Sequence, residues 1–119
     1  MESLSREWGR LINRIVWSQA GWQFAWSSEP SLKFWTVMNV ASAALALSLP
    51  LEPAERALIL MAGIMVLAAE LLNTAIERVV DYISTDLHPM AGQAKDNGSA
   101  GVAVTAIAVG VSWIVVLIG

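Results

Sequence analysis

Glu70, Asn73 and Glu77 are the residues whose types and spacing most directly suggest chemistry. Their spacing of i, i+3 and i+7 sets all three on one face of a helix. They follow residues 57–69, a run without a single polar side chain. An ionisable group drawn into a membrane span costs about 2.5–3.5 kcal/mol on insertion scales, so such groups mark function by default. No lysine or arginine lies within that run to neutralise Glu70. The plainer reading is a polar stripe that packs helices together or marks the membrane boundary. Depth argues for chemistry, because Glu70 lies about 10 Å further into the membrane than Glu77 at 1.5 Å per residue. With Glu77 at the water edge, Glu70 reaches the depth of a lipid hydroxyl. The face would then offer a base to a lipid alcohol and a metal ligand to an incoming magnesium triphosphate.

A second cluster, residues 94–100 (AKDNGSA), opens the last apolar stretch. Lys95 supplies a cation for phosphate oxygens, Asp96 can accept from a nucleotide or orient Lys95, and Ser99 follows one turn later. The same residues also read as an ordinary helix start with a glycine and serine cap. Glu29 stands just outside the first apolar run and could join Glu77 on one magnesium, which takes one or two carboxylates plus phosphates and waters. His88, the only histidine, reads as a solvated loop residue.

These side chains need elements to position them. The chain has 119 residues, 56% of them hydrophobic and 14% charged, against about a quarter charged in a soluble domain. That balance describes one all-α integral membrane domain. The absence of cysteine excludes disulfides and thiolate metal sites, and the lack of a basic cluster argues against nucleic acid. Residues 3–28 read as an amphipathic interfacial helix. Leu4, Trp8, Leu11, Ile12, Ile15, Trp22 and Trp26 recur at steps of three and four, and Arg6, Arg10 and Arg14 lie one turn apart on another face. With polar groups every few positions before residue 17, no cleavable leader is expected there. Pro30 breaks the chain before a first span over 32–51, and Pro50 and Pro53 punctuate the connection to a second span over 55–83. A cytoplasmic loop over 84–93, holding Pro89 and Gly92, leads to a third span over 94–118, where residues 99–118 carry no charge. Of the seven lysines and arginines only Arg56 lies on the far side, which places the N-terminus and the second loop in the cytoplasm.

Neither a GxxxxGK[ST] loop nor the protein-kinase signature set is present, so any use of ATP rests on a different fold. The stretch 69–81 (AELLNTAIERVVD) together with 94–100 (AKDNGSA) instead resembles the bacterial, prokaryotic-type diacylglycerol kinase family. An E-x-x-N-x-x-x-E face paired with an A-K-D-x-G-S-A turn is a specific combination, and the resemblance covers nearly the whole chain. It implies a homotrimer in the inner membrane, with active sites shared between protomers, phosphorylating diacylglycerol with ATP. By resemblance, Glu70 is the catalytic base, and Glu29 and Glu77 hold Mg²⁺; in the mechanism this suggests, Asn73 orients Glu70 or a phosphate by hydrogen bonding. Lys95, Asp96 and the loop residues Asp86, Leu87 and His88 contact ATP. Arg10 meets both nucleotide and lipid, while Trp26, Arg56, Ser99 and Trp113 line the lipid site. Trp17 stands where well-known members have a tyrosine near the adenine, and Gln23 and Trp35 replace charged residues of the lipid region.

Two other readings compete. An undecaprenol kinase performs the same reaction on a polyprenyl alcohol. A small proton-coupled exporter subunit would also carry a membrane glutamate, although such subunits usually have four spans with the glutamate in the first.

Overall fold

The computed structural model describes residues 1–119 and contains four α-helices and no strand: α1 (Glu2–Ser28), α2 (Pro30–Ser48), α3 (Pro53–Ile83) and α4 (Pro89–Ile118). Proline opens three of them. Pro30, Pro53 and Pro89 each occupy the start of a helix, where the missing N–H would have had no partner. The gap left between the expected helix over 3–28 and the span from 32 therefore shrinks to one residue, Glu29, which is extended (φ −118°, ψ 102°) as the residue before a proline prefers. The connection before α3 ends in a reciprocal cap, Glu52 and Glu55 each accepting from the other's end of the first turn.

The start of α4 corrects the expected loop over 84–93. Only residues 84–88 are non-helical, and α4 begins at Pro89 rather than at residue 94. The reason is a local cap: His88 is the N-cap, and its Nδ1 accepts from the Met90 N–H at 3.1 Å. Pro89, read as a breaker, instead supplies a preset first helical residue. Likewise the first span, expected over 32–51, is a helix that ends at Ser48, and the second starts at Pro53.

α3 is the centre of the packing, with α4 against one side and α2 against another. Its buried residues are Ile59, Gly63, Val66, Glu70, Asn73 and Thr74. Apart from Thr74 they recur at alternating steps of four and three, a single seam that is apolar at one end and polar at the other. Two glycines set the helix separations. A Cβ on Gly63 would overlap the side chain of Asn39 on α2, and one on Gly98 of α4 would overlap Asn73. α1 touches the rest only through its C-terminal part, where Ala25 is its one buried residue.

α3 and α4 are long and apolar enough to cross a membrane. α2, diluted by Ser31, Lys33, Thr36, Asn39 and Ser42, is shorter at 19 residues. Only 10 of 119 residues are buried. Isoleucine, leucine, valine and methionine side chains stand exposed along α2, α3 and α4, an apolar surface far too large for a solitary chain in water.

Candidate active site

The polar half of the α3 seam collects the residues singled out from spacing. Glu70 is 4% exposed, and its Oε1 accepts from the Ser31 hydroxyl of α2 at 2.6 Å. One turn on, Asn73 Nδ2 donates to Glu77 Oε1 at 3.3 Å, while its Oδ1 is buried without a hydrogen-bond partner, facing Gly98. The Thr74 hydroxyl donates back to the Glu70 carbonyl at 3.0 Å, within the helix. Glu29, at the α1–α2 joint, faces α3 as well. Its Oε1 lies 3.4 Å from Arg78 Nη2, and the same guanidinium stacks over Phe24 at 4.7 Å. The joint thus sets Glu29 and Ser31, two residues apart, against α3 side chains about two turns apart.

The stripe runs on into a cleft of about 360 Å³ between the end of α3 and the start of α4. Asp81, Ser84, Asp86, Leu87, His88 and Lys95 line it. Four of the residues implied for ATP, namely Asp86, Leu87, His88 and Lys95, therefore share one cavity. Lys95 Nζ donates to Asp81 Oδ1 at 2.7 Å across its mouth. Asp96 is exposed and does not line this cleft. Ser99 is also exposed, one residue past the Gly98–Asn73 contact.

Other implied residues lie elsewhere. Arg10 is exposed on α1 and pairs with Glu7 at 2.6 Å; it stands about 22 Å along the helix from Ala25. Trp17 is exposed on the same free stretch. Trp26 stacks on Trp22 with centroids 6.0 Å apart, and Lys33 Nζ sits 5.8 Å over its ring. Arg56 lies about 21 Å along α3 from Glu70 and caps the end of α2, donating to the Ala46 carbonyl at 2.8 Å and the Leu49 carbonyl at 3.0 Å. Trp113 Nε1 donates to Ser42 Oγ at 2.9 Å beside an apolar cavity of about 240 Å³ between α2, α3 and α4. The single chain brings neither Arg10 nor Trp17, Arg56 or Trp113 to Glu70.

No group of three or more acidic or histidine side chains gathers anywhere. A magnesium ion shared with phosphates needs only one or two carboxylates. Glu29 and Glu77 fit that donor set: both supply hard oxygens, and their present bonds of 3.4 and 3.3 Å are long ones. Three participants went unnoticed in the sequence: Ser31, Arg78 and Asp81. Each matters through a partner on another helix, which spacing along one helix does not reveal.

Residues 16–117 match the family profile described as prokaryotic diacylglycerol kinase. A relative from Pseudomonas aeruginosa, named diacylglycerol kinase, is 36% identical over 110 residues, covering 92% of this chain and 89% of that one. The Escherichia coli K12 diacylglycerol kinase is 32% identical over 108 residues, 91% of this chain and 88% of its own. The one from Haemophilus influenzae is 35% identical over 103 residues, 87% of each chain. With a match over this much of the sequence, the chain belongs to the prokaryotic diacylglycerol kinase family.

Proposed function

We propose that this chain transfers the γ-phosphoryl group of ATP to the free hydroxyl of diacylglycerol, giving phosphatidic acid and ADP. Membership of the family makes it a lipid kinase; the chemistry within that class is our reading. The observation that carries it is the continuous α3 stripe, from a sealed carboxylate at Glu70 through Asn73 and Glu77 into the cleft bounded by Asp81, His88 and Lys95. The lipid oxygen attacks the γ-phosphorus in line, the bond from that phosphorus to the β-phosphate bridging oxygen breaks, and Glu70 Oε2 receives the hydroxyl proton. Phosphoryl transfer depends chiefly on positioning and charge neutralisation. Glu29 and Glu77 would hold Mg²⁺, which supplies charge neutralisation on the phosphates. Lys95 adds a second cation, exchanging Asp81 for a phosphate oxygen, and Asn73 fixes the Glu77 carboxylate. Asp86, Leu87 and His88 form the nucleotide side of the cleft, and Asp96, outside its lining, is a nucleotide contact by resemblance alone.

The membrane placement follows the same geometry. In this reading α2 also spans the membrane, as the first of three spans, its 19 residues covering about 28 Å. Glu70 stands 17 residues into α3, about 26 Å from Pro53, at the inner rim of a hydrocarbon core about 30 Å thick. The N-terminus then faces the cytoplasm of a bacterial inner membrane. Trp26 and Ser99 meet the lipid near its headgroup, while Arg56 and Trp113 stand at tail depth or beyond. Arg10 and Trp17 complete the site from a neighbouring protomer of a homotrimer.

The deciding assay uses purified protein in lipid micelles with MgATP labelled in the γ-phosphate. Labelled phosphatidate from diacylglycerol supports the proposal. Label appearing only on undecaprenol in a parallel tube would replace the substrate, and ATP-independent proton flux without labelled lipid would restore the exporter reading, which family membership otherwise removes.

A further inference from the structure

We infer that Ser31 is a positioning residue for Glu70, fixing which carboxylate oxygen faces the substrate. The inference rests on the proposed role of Glu70 as proton acceptor. Ser31 is the second residue of α2, and its hydroxyl donates to Glu70 Oε1 at 2.6 Å. That length is typical of a hydroxyl bonded to a carboxylate, the strong charge-assisted class. Glu70 Oε2 accepts no hydrogen bond within the chain, and it is not among the buried atoms left without a partner. The two oxygens are thereby made unequal: one is tied to α2, the other is free to take a proton.

The tie is also a geometric one. A glutamate carboxylate turns broadly about its last torsion, and the Glu70 side chain has no other polar partner to stop it. Ser31 stops it from a rigid point, the first turn of a helix whose position is set by Leu32, which is completely buried. That turn also brings the positive end of the α2 dipole beside the carboxylate. Pro30 and the single-residue joint at Glu29 fix where the turn begins. One short segment therefore presents Glu29 to Arg78 and Ser31 to Glu70, linking a proposed metal ligand to the proposed base.

The test compares Ser31→Ala, Ser31→Thr and Glu70→Gln, with the double variant Ser31→Ala/Glu70→Gln, in micelles containing diacylglycerol. For Ser31→Ala, kcat falls about tenfold while KM for MgATP and for the lipid each change less than about twofold, because orientation and not binding is lost. Ser31→Thr keeps the hydroxyl and recovers most of kcat. In the Glu70→Gln background the Ser31→Ala change leaves the residual rate unaltered. A fully active Ser31→Ala, a threonine variant as slow as alanine, or an equal loss in the Glu70→Gln background each overturns the inference. Infrared difference spectra against Glu70→Gln separate this from the reaction itself. A Glu70 carboxylate band that shifts in Ser31→Ala, in a protein that labels no diacylglycerol, keeps the contact and overturns the reaction and the catalytic purpose together. An unmoved band overturns the contact.

Discussion

Glu70 combines near-complete burial with one unengaged oxygen, the combination that its proposed role as proton acceptor needs. Glu70→Gln preserves shape and can still accept from Ser31, but it cannot take a proton. Turnover should fall by about 10²–10⁴-fold, the usual contribution of a positioned proton acceptor, while the protein still binds nucleotide. Equilibrium binding of a fluorescent ATP analogue alongside the phosphatidate assay checks both halves, and near wild-type turnover removes Glu70 from its role. Gly98 is tested at the same scale. A methyl there overlaps Asn73, whose other amide atom holds Glu77. Gly98→Ala should cost about 1–3 kcal/mol of stability through overpacking. It should also raise the magnesium concentration needed for half-maximal rate, since Asn73 must swing and release Glu77. A variant with an unchanged magnesium titration breaks that link. The seam itself was legible in the sequence, because i, i+3 and i+7 spacing is a property of one helix. Ser31 and Gly98 were not, because their importance lies in what α2 and α4 bring against that helix.

Among the elements, the helix starts were the less readable boundaries: they lie at residues 2, 30, 53 and 89 rather than at the expected 3, 32, 55 and 94. Each proline marked a boundary, but a proline breaks a helix only where it falls inside one; at the first helical position it begins one. His88 and Pro89 show the difference, since a histidine ring nitrogen accepting from Met90 moved the start of α4 five residues before the expected 94. The α2 end is held from outside by Arg56, whose guanidinium satisfies the Ala46 and Leu49 carbonyls. Arg56→Ala leaves the Ala46 carbonyl without a donor and the Leu49 carbonyl with only the Leu51 N–H, and should cost about 1–3 kcal/mol. Thermal unfolding in micelles would register the loss as a lower midpoint, with KM for lipid little changed. The opposite pattern, unchanged stability with a raised KM for diacylglycerol, would return Arg56 to the lipid site implied by resemblance and make its capping bonds incidental.

At the scale of the whole molecule, one chain does not bring together all the residues that the resemblance implies. Glu70 and the cleft belong to α3 and α4, whereas Arg10 and Trp17 lie on a helix exposed along almost its entire length. Arg10 is separated by about 22 Å of helix from the point where α1 meets the bundle. The exposed Trp8, Leu11 and Ile15 on α1, with the apolar faces of α2 to α4, leave ample surface for lipid and for other copies of the chain. If sites form between protomers, variants disabled on different elements should rescue each other. Arg10→Ala and Glu70→Gln, each inactive alone, are mixed unfolded in equal amounts and refolded together into micelles. Where α1 of one protomer serves α3 of another, random assembly leaves an intact pair at about a quarter of the sites, and about a quarter of wild-type turnover returns. Where both residues must come from one chain, half the chains carry only one lesion and half the other, so no site is whole and the mixture stays silent. Silence in a mixture that has demonstrably exchanged subunits would therefore place Arg10 outside the shared site and require α1 to fold back on its own bundle.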